Sequence, residues 1–346
     1  MVRDTSQDTD SDPDLSNRLA RNHCVPQATG ADQTVRSIGR EQPVPALAAS
    51  SAETSHTPLA REPALPQHEV VPMRMKDKVA LVTGVGPGLG KAIAITLARE
   101  GARVVICDVD EASLADARDA VEAAGGTCLA VRCDVSSSAE VTDMFAAAVA
   151  RFGTVHVLVN NAALVPNRPI DTERRNRFYA YMQTPVARDT LNFTSEITDD
   201  EWMRYWGVNV HGVFFCTREA LRLMQPQRYG RIVNIASVAG TSPKSAHSPH
   251  YSATKGAVIA FSRSVAMEVA GANIYVNVMA PGGVATPDFN AYLDQIGDTG
   301  RNRLWQGCPS GRFGTPEEYA ATVLHLASDE HYLVGQVISP NGGSVM

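Results

Sequence analysis

The fold of this chain is decided by Val79-Ala80-Leu81-Val82-Thr83-Gly84-Val85-Gly86-Pro87-Gly88-Leu89-Gly90. The first four residues are an apolar run ending at Thr83-Gly84, which is typical of a short buried strand. Residues 89–100 then combine helical spacing with strong helix formers. The glycines between them permit a tight turn and a close approach of the backbone to a pyrophosphate. The N–H groups at the start of the helix attract phosphate. We therefore predict a nucleotide-binding turn, with a merely tight connection as the alternative.

The same alternation of apolar runs and helical spacing continues along the chain. Further strands are predicted at about 104–107, 129–133, 155–159, 231–235, 274–279 and 336–338, and further helices at about 111–124, 137–152, 199–224 and 251–271. Nearly continuous apolar strands that alternate with helices indicate a parallel sheet covered on both faces. The predicted fold class is α/β, a doubly wound parallel sheet of Rossmann-like type, in a single domain at about 73–346.

Residues 1–72 have a different composition. They contain no Phe, Trp or Tyr, and eight prolines lie among many polar residues. Such a segment buries too little apolar area to offset the entropy lost on ordering, so it is predicted to be a disordered tail. Two alternatives remain open: a tail that binds a partner, and a mis-assigned start, with translation beginning at Met73 or Met75.

Composition excludes several classes of protein. The formal net charge is −6, whereas a nucleic-acid binder usually carries a basic face. The sequence has neither the roughly 18-residue apolar run that spans a membrane nor an N-terminal apolar segment typical of secretion. The six cysteines include no C-x-x-C pair, so no metal site is predicted. We expect a cytoplasmic protein with free thiols and no nucleic-acid or membrane partner.

Asp108 indicates which nucleotide is bound. It ends the second predicted strand, about 18 residues after Gly90. A carboxylate at this position accepts hydrogen bonds from the adenosine ribose and repels a 2′-phosphate. The neighbouring positions that could supply a cation to a 2′-phosphate hold none: Val85, Gly86, Pro87 and Val109. NAD is therefore predicted in preference to NADP, with a turn-forming aspartate as the alternative reading.

Tyr251 and Lys255 stand four residues apart at the head of a predicted helix and so share one face of it. A phenol ordinarily has a pKa of about 10, and a nearby ammonium group lowers that value. The pair could therefore exchange a proton near neutral pH, which suits alcohol–ketone chemistry. Taken alone, it could equally be an exposed helix pair.

Together these features resemble the short-chain dehydrogenase/reductase family. Further segments match the family's order: Cys133-Asp134-Val135, Asn160-Asn161-Ala162-Ala163, Gly207-Val208-Asn209-Val210, Gly230–Ser237 and Pro281-Gly282-Gly283-Val284-Ala285-Thr286. The first of these resembles the family's segment that contacts adenine, and the last resembles its turn that holds the nicotinamide end of the cofactor. Ala163 replaces a glycine that the family usually has. The likeness covers nearly all of residues 76–346.

The resemblance implies roles for individual residues. Tyr251 is the general acid/base, and Lys255 lowers its pKa and bonds the nicotinamide ribose. Ser237 holds the reacting oxygen, and Asn209 anchors a water in a proton path through Lys255. The implied cofactor-binding residues are Gly84, Gly88, Leu89, Gly90, Asp108, Asp134, Val135, Asn161, Tyr251, Lys255, Pro281, Val284 and Thr286. The family also implies a homo-oligomer, a dimer or tetramer, assembled through helices at about 205–225 and 251–271.

The chain departs from the family pattern in three places. One extra residue precedes Tyr251, in a loop that carries His247 and His250. We expect these to be surface-loop histidines, with substrate contact as the alternative. An insertion of roughly 20 residues at about 165–195 is predicted to form a flap over the substrate or a subunit contact. Within the variable segment at about 288–310, five side chains either line the substrate site or pack on the core: Tyr292, Leu293, Ile296, Leu304 and Trp305.

The predicted function is hydride transfer between NAD and a secondary alcohol or ketone, including cyclic or steroid-like ones. One alternative is a reductase of 3-oxoacyl thioesters on acyl carrier protein, although many such relatives prefer NADPH. An alternative of another class is a non-catalytic NAD-binding sensor or assembly subunit.

Overall fold

The computed structural model describes residues 73–346, without the side chains at positions 288, 295, 299 and 303. The predicted tail, residues 1–72, lies outside the described residues. The strands are β1 (Val79–Thr83), β2 (Arg103–Asp108), β3 (Thr127–Arg132), β4 (Val157–Asn160), β5 (Gly230–Ile235), β6 (Ile274–Met279) and β7 (Val337–Ile338). The α-helices are α1 (Leu89–Arg99), α2 (Glu111–Ala123), α3 (Ser138–Phe152), α4 (Pro169–Gln183), α5 (Asp199–Trp206), α6 (Val213–Gln227), α7 (Pro249–Val269), α8 (Pro287–Gln306) and α9 (Pro316–Ala327).

The strands form one parallel sheet in the order β3-β2-β1-β4-β5-β6-β7. The order reverses between β1 and β4, and ligands bind in open α/β sheets at such a switch point, outside the carboxyl ends of the strands. The predicted doubly wound α/β fold is confirmed. No helix among residues 73–346 is long and apolar enough to cross a membrane.

Helices cover both faces of the sheet, which explains why the strands are apolar throughout. In β1, Ala80 and Val82 face a layer that includes α1, α2 and α9. Val79 and Leu81 face the opposite layer, which includes α3, α6 and α7. All five residues of β1 are buried. A strand buried on both sides has no polar face, so it appears in the sequence as a continuous apolar run.

The single helix predicted at about 199–224 is interrupted. After α5, residues Gly207–Gly212 form a π-helical segment that contains Asn209, and α6 follows. A Cβ at Gly212 would lie 2.8 Å from Val135 Cγ2, so glycine lets this segment approach the turn after β3 closely. Segments of this kind occur often at functional sites because they re-aim one side chain without ending the helix.

The insertion contains a helix, α4, that the sequence patterns did not predict. The buried residues of α4 are Asp171 and Arg174, both charged, so the helix has no apolar stripe.

Two more helices, α8 and α9, follow the predicted nicotinamide turn and were also not predicted. Thr315 caps α9 by accepting a hydrogen bond from the backbone N–H of Glu318.

Candidate active site

The glycine turn after β1 is packed against the end of β4. Gly84 has φ +70°, and a Cβ there would lie 2.5 Å from Ala162 Cα. A Cβ at Gly90 would lie 2.0 Å from the Gly84 carbonyl oxygen. Asn161 Nδ2 donates hydrogen bonds to the carbonyl oxygens of Thr83 and Gly84, at 3.2 and 2.6 Å. At these two glycine positions a side chain would have to displace backbone, so the turn keeps its tight form.

Thr83 belongs to the predicted nucleotide-binding turn, and its hydroxyl has a structural role that was not predicted. Its Oγ1 accepts hydrogen bonds from the backbone N–H groups of Asn161 and Ala162, at 3.1 and 3.0 Å. These bonds join the ends of β1 and β4 beneath the glycine turn. A hydroxyl residue at the end of a buried strand is the signal that could have identified it.

The start of α1 fits a pyrophosphate. Gly88 occupies the N-cap with φ +152°, no side chain caps the helix, and the first turn holds no acidic residue. The first N–H groups of a helix have no intrahelical partner and carry a partial positive charge. Leu89 and Gly90 therefore have N–H groups suited to an anion, and their contact with the phosphates of a dinucleotide stays a prediction.

Asp108 lies beside this turn. The Cβ position of Gly86 is 4.0 Å from Asp108 Oδ2, and Oδ1 accepts a hydrogen bond from the Asp110 N–H at 3.1 Å. Arg132 pairs with Asp108 in the strand register, but its Nη1 lies 3.5 Å from Glu140 Oε2. The Asp108 carboxylate thus faces the glycine turn, while the Arg132 guanidinium on the neighbouring strand is paired with Glu140.

Asp134 and Val135 form the turn after β3. Asp134 Oδ1 accepts hydrogen bonds from the backbone N–H and the hydroxyl of Ser136, at 2.9 and 2.7 Å. Val135 is buried against Gly212. These contacts fix the turn beside the π-helical segment; the contact of these two residues with adenine stays a prediction.

The predicted nicotinamide turn comes close to the glycine turn. Thr286 caps α8 by accepting a hydrogen bond from the Phe289 N–H at 3.3 Å, and its methyl carbon lies 3.0 Å from the Cβ position of Gly88. The carbonyl oxygen of Pro281 accepts a hydrogen bond from the Val238 N–H at 3.1 Å. Val284 pairs in a short parallel bridge with Gly314. The segment that contains Pro281, Val284 and Thr286 therefore joins the glycine turn to the residues after Ser237.

Ser237 and Tyr251 meet beyond the end of β5. Ser237 is 8% exposed, and its Oγ accepts a hydrogen bond from the Ala239 N–H at 3.1 Å. Tyr251 lies in the first turn of α7. Burial raises the pKa of the Tyr251 phenol, and the Ser237 hydroxyl beside it acts in the opposite direction.

Lys255 lies one turn further along α7. Its Nζ is 5.7 Å from the centre of the Tyr251 ring and donates a hydrogen bond to the Ile235 carbonyl oxygen at 2.8 Å. Burial lowers the pKa of Lys255 to about 8. The two side chains do share one helix face, as the spacing predicted.

The pKa of Tyr251 differs in direction from the sequence argument, which had Lys255 lowering it. In the protein alone the phenol pKa is raised, because burial disfavours the phenolate. The Lys255 ammonium group is directed to a backbone carbonyl and loses hydration itself. The catalytic roles of both residues stay predictions.

Asn209 connects two parts of the site. Its Oδ1 accepts a hydrogen bond from the Leu164 N–H at 2.7 Å, and its Nδ2 donates to the Leu164 carbonyl oxygen at 3.0 Å and to Thr254 Oγ1 at 3.1 Å. The side chain is fully buried. Asn209 therefore holds the chain after β4 against α7, next to Lys255. Its predicted role in anchoring a water is not tested by these contacts.

The prediction of surface-loop histidines is wrong. His247 is 5% exposed and His250, which lies in α7, is 0% exposed. The insertion covers them: the His247 ring centre lies 5.8 Å from that of Phe178 and 6.4 Å from that of Tyr179, both on α4. Burial lowers the pKa of His247 to about 4.

One buried group has the residue types of a metal site. Asp171, Glu201 and His250 bring potential ligand atoms within 4.8 Å of one another. However, Arg168 bonds both carboxylates, and Arg174 Nη1 donates to Glu201 Oε1 at 2.8 Å. Two guanidinium groups would repel a metal cation, so this cluster is an ion-pair network. The sequence prediction of no metal stays a prediction.

The segment after the nicotinamide turn, at about 288–310, makes two kinds of contact. Leu293 is 8% exposed and packs inward, and the half-buried Trp305 has its ring centre 5.0 Å from that of Phe313. Tyr292 instead meets the insertion, with the Arg175 guanidinium 5.5 Å from its ring centre. Packing on the core therefore accounts for part of this segment, and contact with α4 for another part.

A glycine turn at the switch point, with Ser237 after β5 and Tyr251 and Lys255 on α7 beside it, is the arrangement of an oxidoreductase that works with a nicotinamide cofactor. The family model described as short chain dehydrogenase matches residues 78–296, and the chain belongs to the short-chain dehydrogenase/reductase family.

Several known proteins are similar to this chain. A 3-oxoacyl-(acyl-carrier-protein) reductase of Synechocystis sp. is 36% identical over 272 residues, covering 78% of this chain and 97% of the relative. A 3beta-hydroxysteroid dehydrogenase of Mediterraneibacter gnavus is 34% identical, covering 78% and 95%. The crystal structure of levodione reductase has 31% identity and a TM-score of 0.66, covering 78% of this chain and 97% of that one.

Proposed function

We propose that this protein is an NAD-dependent oxidoreductase of secondary alcohols and their ketones, including cyclic ones. The observation that carries the choice of NAD is the Asp108 carboxylate beside the glycine turn, with Oδ2 4.0 Å from the Cβ position of Gly86. A ribose with two free hydroxyls can donate hydrogen bonds to this group, whereas a 2′-phosphate would be repelled by it.

The reaction follows from the arrangement of the three side chains. Tyr251 takes the hydroxyl proton of the alcohol during oxidation and returns a proton to the carbonyl oxygen during reduction. Ser237 holds that oxygen, and the Lys255 ammonium group, when protonated, favours the phenolate form of Tyr251. Acceptance of the hydride from the alcohol carbon is the chemistry that NAD supplies when bound. Asn209 holds α7 against the chain that follows β4.

Aromatic side chains support a cyclic substrate. Phe178 and Tyr179 of α4 pack with His247, which stands four residues before Tyr251 in the chain. Tyr292 approaches the same helix through Arg175. Flat apolar rings bind well against aromatic side chains. We infer that α4 is a wall of the substrate site, which makes one of the two predicted roles of the insertion, the flap, the favoured one.

Two of the similar proteins point to a second candidate, reduction of 3-oxoacyl thioesters. The Synechocystis relative carries that name, and so does a Thermotoga maritima relative with 34% identity. The two functions differ in substrate shape, since an acyl chain on a carrier protein needs an open, linear approach. The third candidate, a non-catalytic NAD-binding subunit, is disfavoured because Ser237, Tyr251 and Lys255 are all present.

A substrate panel tests the proposal. The purified protein is given NAD or NADP with cyclohexanol, 2-octanol and a 3β-hydroxysteroid, and NADH or NADPH with a 3-oxoacyl thioester. The expected result is greater turnover with NAD and a cyclic alcohol than with any other pair. Preferred turnover of the thioester with NADPH would establish the second candidate instead.

The Asp108→Ala variant tests the choice of cofactor. Loss of charge-assisted hydrogen bonds to the ribose costs about 1.5–3 kcal/mol, so kcat/KM for NAD should fall by roughly 10- to 100-fold. The value for NADP should rise, because the repulsion is removed. Asp110→Ala serves as the control, since its carboxylate caps α2 by accepting a hydrogen bond from Ser113 N–H. An unchanged NAD/NADP ratio in Asp108→Ala would contradict the assignment.

We also propose a homo-oligomer. A groove of about 300 Å³ between α6 and α7 is lined by apolar and polar side chains, among them Phe214, which is 43% exposed. Arg222 and Glu268 give the groove charges of both signs, so the same face can pair with a second copy of itself.

Light scattering tests the assembly. Wild-type protein is expected to have the mass of a dimer or tetramer, and Phe214→Glu is expected to shift it toward the monomer, because a carboxylate would be buried without a partner. Tyr332→Glu is the matched control, since Tyr332 is 93% exposed and lies outside the groove. A monomeric wild type would contradict the proposal.

A further inference from the structure

Four charged residues fix the insertion to the body of the domain; they are called the insertion cluster and comprise Arg168, Asp171, Arg174 and Glu201. Arg168, at the start of α4, donates hydrogen bonds from its backbone N–H and its Nε to Asp171 Oδ2, both at 3.0 Å. Arg168 and Arg174 both bond Glu201, which lies in the first turn of α5. Asp171, Arg174 and Glu201 are 0%, 3% and 9% exposed. Charges this deeply buried are tolerated only when they are paired, so the four side chains form one unit.

The insertion cluster touches the residue before Tyr251. His250 Nε2 lies 3.4 Å from Glu201 Oε1. The His250 ring also meets the Tyr205 ring edge-on, with centres 4.3 Å apart, and Tyr205 in turn meets the Tyr251 ring at 6.4 Å in the same T-shaped manner. A continuous series of contacts therefore joins α4 to the phenol.

The His250 ring makes these contacts by packing. The residue is 0% exposed, and within the described part of the chain neither ring nitrogen has a hydrogen-bond partner. Burial lowers its pKa, so the ring is neutral at pH 7. Packing against Tyr205 and the 3.4 Å contact with Glu201 therefore fix the ring in place.

We infer that His250 and Tyr205 are positioning residues, through which the insertion cluster sets the placement of the Tyr251 phenol. The inference rests on the proposed role of Tyr251 as general acid/base. A displacement of about 1 Å at a reacting group can cost on the order of 100-fold in rate. The insertion thus affects the reaction through the position of Tyr251, in addition to covering the substrate site.

Two replacements of His250 separate shape from chemistry. His250→Phe keeps a ring against Tyr205 and removes both nitrogens; it is expected to retain kcat within about threefold. His250→Ala leaves a void beside Tyr205 and is expected to lower kcat by at least about tenfold, because the phenol loses its fixed position. The Kd for NAD should stay within about twofold in both. The assays use the alcohol of highest turnover in the panel above.

A second readout does not depend on turnover. The ultraviolet titration of Tyr251, obtained by subtracting that of Tyr251→Phe, should shift in His250→Ala and stay in place in His250→Phe. The inference is overturned if His250→Ala keeps wild-type kcat and titration, or if His250→Phe loses as much kcat as His250→Ala. Turnover of Tyr251→Phe above a tenth of the wild-type value would instead disprove the proposed role of Tyr251 as general acid/base, so the two failures are distinguishable.

The arginines provide a matched pair on one helix. Arg174→Met removes a buried partner of Glu201, whereas Arg177→Met breaks an exposed pair with Glu196 at 2.8 Å. Arg174→Met is expected to lower kcat by about tenfold, with the Kd for NAD unchanged, and Arg177→Met to leave both unchanged. If Arg174→Met does not fold, Arg168→Gln takes its place, because Arg168 is 30% exposed. Equal kcat in the cluster variant and the control would contradict the inference.

Discussion

Replacing Tyr251 with Phe is expected to lower kcat by at least about 10³-fold while leaving the Kd for NAD within about twofold. The substitution removes only the hydroxyl, and a positioned general acid/base contributes typically 10²- to 10⁴-fold. The groups proposed to hold the adenosine and phosphates, at Asp108 and the start of α1, lie on other elements of the sheet edge. Steady-state kinetics and calorimetric titration with NAD measure the two quantities separately.

Tyr275→Phe is the control for this experiment. Tyr275 lies in β6, where its ring centre is 4.2 Å from the Arg231 guanidinium, and it is not part of the proposed site. Its kinetic constants should match those of the wild type. Persistence of more than a tenth of the turnover in Tyr251→Phe would show that another group transfers the proton, and Ser237 would be the first to examine.

The nucleotide-binding half of the fold could be predicted because its rules are local. β1 is buried on both faces, so its burial is visible as an apolar run. The turn after it requires glycine at positions where two backbone segments come close together, as at Gly84 and Gly90. The glycines in the sequence therefore indicate the turn. The order of the strands, with its reversal between β1 and β4, was not predicted, because pairing between segments far apart in the chain has no local signal.

The helix in the insertion and the burial of its side chains could not be predicted, because the buried side chains are charged. Sequence patterns equate buried faces with apolar residues. In α4 the buried face carries Asp171 and Arg174, and the partner that makes their burial tolerable is Glu201, 27 residues beyond Arg174. The same non-local covering buries His247 and His250, which looked like loop residues. Only the three-dimensional structure shows which charges meet.

The environment of the Tyr251 phenol could also not be predicted from the sequence. The spacing of Tyr251 and Lys255 gave a shared helix face, but the pKa of each depends on how deeply the chain covers it. Burial raises the pKa of Tyr251 and lowers that of Lys255 to about 8, so in the protein alone the phenol is neutral at pH 7 while the lysine is still mostly protonated. The buried ammonium group, and not the neutral phenol, therefore costs stability at this pH.

Replacing Lys255 with Met is expected to stabilise the fold while removing most of the activity. The ordinary pKa of 10.5 falls to about 8 in the folded protein, so below pH 8 the native state carries a buried charge whose cost is roughly 3 kcal/mol. The hydrogen bond to the Ile235 carbonyl oxygen offsets part of any gain. We expect Lys255→Met to raise the free energy of unfolding at pH 7 by about 1–2 kcal/mol and to lower kcat/KM by at least about 100-fold.

The pH dependence identifies the cause of this stabilisation. Between pH 8 and 10.5 the unfolded state binds more protons at Lys255 than the folded state does, so wild-type stability rises with pH relative to the variant, by up to about 1.4 kcal/mol per pH unit. The advantage of Lys255→Met in urea unfolding should therefore be full below pH 8 and should shrink as the pH approaches 10.5. Lys244→Met, at an exposed lysine, should show no such trend. A pH-independent difference would mean that packing of the methionine, and not relief of a buried charge, stabilises the variant.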